Sequence, residues 1–260
     1  MRTRLPPVIW AAASICALLA VWIGLTWNGS HGPVVQDLFL PGPGELWSGF
    51  LDLASSGYKG RPLLVHIGFS LERVLAGFGT GAVVGTVLGL AMGYAPRLDA
   101  LASPFVEFLR PLPQLAYLVL LIVWFGIGEE SKIILLFLAA LPVSAVAARA
   151  GVRDVSAGRV QVARALGASE WQVFRHVVFP SALSEIFTGA RLAIGIVYGT
   201  LIAAEIIAGS TGLGWMILDA GRFLRSDYVF VGIVIIGLLG ILLDRSLVGI
   251  ERRVVHWAGK

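Results

Sequence analysis

"ARALGASEWQVFRHVVFPSAL", residues 163–183, is a charged, helix-forming stretch set between two long apolar runs. It holds Arg164, Glu170, Arg175 and His176, in a chain where only 14% of residues are charged. A soluble domain carries about 25%. Val160, Ala163 and Leu166, then Trp171, Phe174 and Val177, recur at helical spacing, with Arg159, Arg164, Glu170 and Arg175 mostly on other faces. Gly167 interrupts the pattern. Ser169, with Gln172 three residues later, forms a capping box and starts a new helix. Pro180 marks a boundary before the next apolar run. The stretch is predicted to be two short helices joined by a turn at the membrane face. The residues alone fit either a linker between two spans or an apolar and basic surface for a soluble partner.

The rest of the chain makes lipid the solvent. Of its 260 residues 57% are hydrophobic and the mean hydropathy is +0.84, which leaves too little polar surface to cover a core in water. The net charge of +4 lies mostly in short loops, where basic residues orient spans. It is not clustered with exposed aromatics as a nucleic-acid site requires. Cys16 is the only cysteine, so no disulfide forms within the chain. His31, His66, His176 and His256 are too scattered to indicate a metal site. The sequence has no GxxxxGK[ST] loop, GxSxG elbow or HExxH pair, so no catalytic site is expected.

Six spans are expected. The first, Val8 to Trp27, is long enough to cross hydrocarbon and reads as a retained helix after Arg2 and Arg4. Residues 28–65 are polar. Within them, Glu45 to Leu53 reads as an amphipathic helix on the outer surface, and "SSGYKGRP" as a flexible loop. The membrane core covers residues 66–250, and residues 251–260 form a basic tail. In span two (about 66–94) Gly77, Gly81, Gly85, Gly89 and Gly93 form a ridge of small residues, suited to packing within the chain or between subunits. Span three is broken by Pro104, Pro111 and Pro113 and holds Glu107 and Arg110, three apart on one face. These two fit a structural pair or part of a pathway. Spans four, five and six run over about 133–148, 183–208 and 228–250.

Charge sets the orientation. With the N-terminus inside, Arg2, Arg4, Arg97, Arg149, Arg153, Arg159, Arg164, Arg175, Arg252, Arg253 and Lys260 are cytoplasmic. Only Lys59, Arg61, Lys132, Arg222 and Arg225 lie outside, so the positive-inside rule places both termini in the cytoplasm.

The opening stretch resembles the "EAA" loop of permeases of bacterial ABC importers. That consensus runs Glu-Ala-Ala, three residues, Gly, nine residues, Ile, one residue, Leu-Pro. Gln161, Val162, Ala163, Gly167, Val177, Phe179 and Pro180 occupy its places, with Gln161 for the leading Glu, Val162 for the first Ala and Phe179 for the Leu. "FLPGPGELW", "SLERVLAGF", "LRPLPQLAYLVLLIVWFGIGEESKI", "FTGARLAIG", "AAEIIAGSTGLGWMILDAGRFLRSDYVF" and "GLLGILLDR" are similar to the nitrate, sulfonate and taurine branch, and most similar to its taurine permeases.

The resemblance implies an all-α type I importer permease fold of six spans, with a cytoplasmic coupling helix. It implies two permease chains, two ATPase subunits and a periplasmic binding protein, in a bacterial inner membrane. ATP and Mg would belong to the ATPase; this chain would have no cofactor and no catalytic role. The coupling loop, 159–180, would dock the ATPase through Gln161, Ala163, Arg164, Gly167, Ala168, Ser169 and Trp171. Glu107, Arg110, Arg191 and Glu205 are candidates for a pathway or gate, and "GSTGLG" for contact with the binding protein. The cargo would be taurine or another alkanesulfonate, with nitrate, bicarbonate or a thiamine precursor as alternatives. Outside this family, a secondary transporter lacks support because the two halves show no internal repeat. An assembly subunit would not need the spaced loop.

Overall fold

Apolar runs free of charge become the long helices. The computed structural model describes residues 7–27 and 34–257, leaving aside the side chains at positions 7, 8 and 11. Arg2, Arg4, His31 and Lys260 lie outside the described residues. The elements are α1 (Pro7–Thr26), α2 (Pro43–Ser56), α3 (Leu63–Tyr94), α4 (Pro96–Leu109), α5 (Gln114–Phe125) and α6 (Glu129–Arg153). After these come α7 (Ala157–Ala165), α8 (Glu170–Val173), a π-helical turn (Phe174–Val178), α9 (Phe179–Ala208), α10 (Leu213–Arg222) and α11 (Ser226–Val254). Among the described residues four helices are long and apolar enough to cross a membrane: α3, α6, the rod Glu170–Ala208 and α11. The pair α4–α5 passes the same test together, and α1 contributes a shorter apolar stretch, Ala12–Thr26.

One boundary follows the sequence reading and one differs. Span three is broken between its prolines, where α4 and α5 meet at 98°. Arg110 keeps helical angles (φ −59°, ψ −48°), but Pro111 and Pro113 remove two N–H donors and Pro113 itself is extended (ψ 119°), so the chain turns there. Pro104 sits inside α4 without ending it. Pro180, in turn, does not separate the loop from span five. It occupies the first turn of α9, and the preceding π turn bonds the Phe179 N–H to the Phe174 carbonyl. The wider turn supplies an i→i−5 bond where proline cannot complete the i→i−4 ladder. The stretch from Glu170 onward and span five are therefore one rod of 39 residues, about 58 Å long at 1.5 Å per residue.

The larger contact unit comprises His66–Trp215 and Ile236–Lys260. Its core holds Val74, Phe78, Leu136, Ala139, Ala140, Ala193, Ile194, Val197 and Leu201, drawn from α3, α6 and α9. The glycine ridge of α3 lies on the α6 backbone. An added methyl would stand 2.6 Å from the Phe137 carbonyl at Gly81, 2.4 Å from that of Leu141 at Gly85 and 2.1 Å from that of Ala145 at Gly89. Gly77 and Gly93 face Leu136 and Val152 in the same way. On the other side of α6, Gly151 meets the Ala182 carbonyl and Gly189 meets Ala147, which brings α9 equally close.

The smaller unit joins the described part of Met1–Val65 to Met216–Ile235. Leu53 of α2 is fully buried while Trp47 is 62% exposed, so the apolar residues of α2 divide between two faces. "SSGYKGRP" is a tight turn rather than a loose loop. Tyr58 and Arg61 exchange both backbone hydrogen bonds (2.8 and 3.1 Å) around Lys59 and Gly60, whose φ of 47° and 76° define a type I′ hairpin turn. Tyr58 is buried and donates to the Asp219 carboxylate at 2.8 Å, which also pairs with Lys59 at 2.9 Å. Burial, then the bond to Asp219, holds the Tyr58 phenol well above its usual range. Burial pushes the Asp219 carboxyl up, but its bonds to Lys59 and Tyr58 outweigh this and leave it low.

Candidate functional site

The stretch between α6 and α9 is held by local bonds at every step. Helix α7 ends in a Schellman motif: Ala168 N–H donates to the Ala163 carbonyl (3.1 Å) and Gly167 N–H to the Arg164 carbonyl (2.9 Å). Gly167 has φ +84°, and an added methyl there would meet nothing within 4 Å, so backbone conformation alone calls for glycine. Ser169 and Gln172 form the reciprocal capping box, at 2.8 and 3.4 Å. Arg164 reaches across the turn to Glu170 with two parallel bonds (2.8 and 2.9 Å). Tyr94 of α3 donates to the same carboxylate at 2.7 Å. The hydrogen bonds to Glu170, then its charge, raise the Arg164 guanidinium above its usual range.

This frame divides the segment into an inner and an outer side. Val173, Val178 and Ala182 are buried against Leu90, Ala148 and Val152, with Ala163 and Ala168 packed at the edge. Facing outward are Val162 (60% exposed), Leu166 (83%) and Trp171 (65%), beside the exposed Gln161 and Arg164. An open groove of about 950 Å³ runs beside Val162 and Leu166, lined also by Arg159, His176, Ser184 and Trp257. The segment is thus an apolar platform, fringed by charge, that continues directly into a span.

The four pathway candidates do not come together. Glu107 bonds Arg149 of α6 at 3.2 Å and not Arg110, which is exposed with no ion pair among the described residues. Arg191 pairs with Asp244 of α11 at 2.9 and 3.4 Å, both partly exposed. Glu205 lies fully buried at the far end of α9. There it accepts from Ser70 (2.7 Å), Arg73 (2.6 Å) and the Gly214 N–H (2.8 Å).

Arg73 is the residue that sequence reasoning missed. It is 1% exposed, and all five of its N–H groups are used. Nε and Nη2 bind Glu129 (2.5 and 2.8 Å), Nη1 binds Glu205 and the Thr211 carbonyl (2.8 Å), and Nη2 also reaches Thr211 Oγ1 (3.1 Å). Lys132, assigned by sequence to an outer loop, is instead buried and bonds Glu129 at 3.1 Å. Two cations and two anions balance. The available signal was a lone arginine inside the apolar α3, since intramembrane charge usually faces protein or a pathway.

The fold defines a polytopic helical membrane protein in which one exposed helical hairpin is built into the end of a span. A family model of binding-protein-dependent transport system inner membrane components matches residues 81–256, and the chain belongs to that family. It is 39% identical to the taurine transport system permease protein TauC of Escherichia coli (strain K12), over 97% of this chain and 91% of that one. It is 37% identical to the putative aliphatic sulfonates transport permease protein SsuC of the same organism, over 84% and 81%. A structure of the MetNI methionine ABC transporter in an inward-facing conformation superposes with a TM-score of 0.66, covering 74% of this chain and 95% of that one at 22% identity, a likeness of fold. The chain is a multi-pass inner-membrane permease of the ABC importer type.

Proposed function

We propose that this chain is the non-catalytic membrane subunit of an ATP-driven importer for taurine or another alkanesulfonate, acting as a pair of identical chains. The observation that carries the reading is the α7–α8 hairpin: a rigid, outward-facing apolar platform welded to a span. A linker would not need its Schellman turn, capping box and bidentate ion pair, nor would it leave Leu166 and Trp171 bare. The platform docks an ATPase subunit, two per importer, that binds ATP and Mg. Closure of the two ATPases moves the platforms, and with them the α9 rods. Both termini and the platform lie on the cytoplasmic side, and a substrate-binding protein delivers cargo at the opposite face. The cargo class rests on the likeness to the taurine and sulfonate permeases.

The test is affinity capture of the tagged chain from native membranes in mild detergent, beside Gly167→Asp. Aspartate meets no neighbour here and tolerates left-handed backbone better than most residues, so the variant adds a charge to the platform, and Gly167→Ala, strained there but uncharged, is run beside it to separate charge from turn strain. An ATPase that accompanies wild type and falls at least tenfold with the variant supports the reading. Loss of taurine uptake in cells carrying the variant supports the cargo. Equal recovery with wild type and Gly167→Asp would move docking elsewhere.

A further inference from the structure

At the end of α9 remote from the platform, the structure encloses a charged cluster that the transport reading does not itself require. It ties four segments together. Arg73 and Ser70 come from α3, Glu129 and Lys132 from the start of α6, Glu205 from the last turn of α9, and Thr211 to Gly214 from the turn that leads into α10. Two features set it apart from ordinary span packing.

The first is that the turn is built on the end of α9. Gly212 has φ +115°, and a methyl there would lie 2.4 Å from the Glu205 carboxylate and 2.6 Å from Arg73 Nη1. Leu213 N–H donates to Ser70 Oγ at 2.9 Å, and Gly214 N–H to Glu205 at 2.8 Å. The first free amides of α10 are thus met by a hydroxyl and a carboxylate, the partners a helix N-terminus favours. His66 accepts from Gly212 N–H at 3.3 Å and stacks on Trp215 with ring centroids 5.8 Å apart. The second feature is that Arg73 binds the helix and the turn with the same nitrogen: Nη1 donates to both Glu205 and the Thr211 carbonyl. The turn cannot be displaced from α9 without opening a buried, fully bonded guanidinium.

Because α8, the π turn and α9 form one rod, the platform and this cluster are the two ends of a single element. We propose that Arg73 is a positioning residue for coupling: it binds the Gly209–Gly214 turn to Glu205, so that displacement of α8 is delivered to the opposite face of the membrane. This rests on the reading that an ATPase docks at α8. Glu129, whose side chain is 44% exposed, is the water-facing edge of the cluster. The other members are shielded, which suits a joint that transmits movement without loosening.

The experiment places a reporter on the turn. Cys16 is replaced by serine, Ser210, which is exposed, is replaced by cysteine, and that thiol is labelled with a bimane. The full permease–ATPase complex is then trapped with Mg-ATP and vanadate. Emission shifts on trapping in the parent, and Glu205→Gln, which keeps the shape but removes the charge, reduces the shift at least threefold while the ATPase stays bound and hydrolyses ATP. If Glu205→Gln does not yield a monodisperse complex, Arg73→Lys serves, because it keeps the charge but removes the fork that joins Glu205 to the Thr211 carbonyl. A parent shift that either folded variant retains in full overturns the proposal, as does a parent that hydrolyses ATP with no shift. Failure of the ATPase to accompany the parent chain sinks the docking reading as well, which separates the two.

Discussion

The two ends of the 39-residue rod solve the same electrostatic problem in opposite ways. At the platform, Arg164 and Glu170 are each more than half exposed and form an ion pair that water screens. At the far end, Arg73 and Glu205 are buried and every guanidinium donor has an acceptor. An exposed pair contributes roughly 0–1 kcal/mol. A buried one contributes little in net terms, but removing one partner costs about 3–5 kcal/mol because an unmatched charge remains. The platform therefore tolerates sequence change and the far end does not. On the proposed reading, a surface that meets a partner stays wet when alone, and a joint inside a bundle does not.

The largest effect should come from breaking that joint. Arg73→Met leaves Glu205 buried without its cation, and unfolding monitored in detergent should show a loss of about 3–5 kcal/mol. Arg73→Met with Glu205→Leu should recover about half of it, since Glu129 and Lys132 still balance each other. If the double variant is as unstable as the single one, the damage lies in shape and not in charge. Next in size is the glycine ridge. Gly89→Leu drives a side chain into the Ala145 carbonyl and should cost about 3 kcal/mol, the upper part of the usual overpacking range. Gly79→Ala, with nothing within 4 Å, should change stability by less than about 1 kcal/mol in either direction. Equal effects at the two positions would remove the ridge as a packing device.

What was legible in the sequence were rules that act within one or two turns. The ridge is visible because glycine recurs every four residues, and Ser169 with Gln172 is visible because a capping box has fixed spacing. Apolar runs show the spans for the same reason. Pairings between elements were hidden. Glu107 and Arg110 satisfy the helical spacing rule, yet Glu107 turns to Arg149, 42 residues on, because α6 offers a nearer cation. Arg73 finds its carboxylates 56 and 132 residues away. Nothing in their spacing announces this, although an arginine in an apolar helix shows that some partner must exist. Pro180 misled because its rule describes an α-helix; a π turn changes the bond that proline would break.

The hairpin turn in the smaller unit is intermediate in burial, with a buried phenol on a partly shielded carboxylate. Tyr58→Phe should cost about 1.5 kcal/mol, as for loss of a hydrogen bond to a charged group. Its pH dependence has a definite sign. The phenol's proton is held more tightly in the folded chain, so its contribution is complete below about pH 10 and is lost as pH rises beyond that. The Asp219 carboxylate is favoured on folding, so its contribution is complete above about pH 4 and is lost as pH falls through its lowered value. The gap between wild type and Tyr58→Phe should therefore be flat from pH 5 to about 9 and narrow in alkali. A gap that widens in alkali would mean the phenol ionises more easily in the fold than in the open chain.

The smallest change in stability should be at the platform, and there it serves to separate shape from recognition. Arg164→Ala removes a bidentate pair that water already screens, so unfolding should shift by less than about 1 kcal/mol. The Schellman turn and capping box that define the hairpin do not use the Arg164 side chain and should survive. Capture of the ATPase should nevertheless weaken, because the guanidinium fixes Glu170 and, through it, the link to Tyr94. Glu170→Ala should weaken it to a similar degree, and the double variant should be little worse than either single one, as for residues acting through one contact. If the two losses add in full, Arg164 and Glu170 meet the partner separately. The ion pair would then be a resting arrangement of the free permease that the ATPase must open.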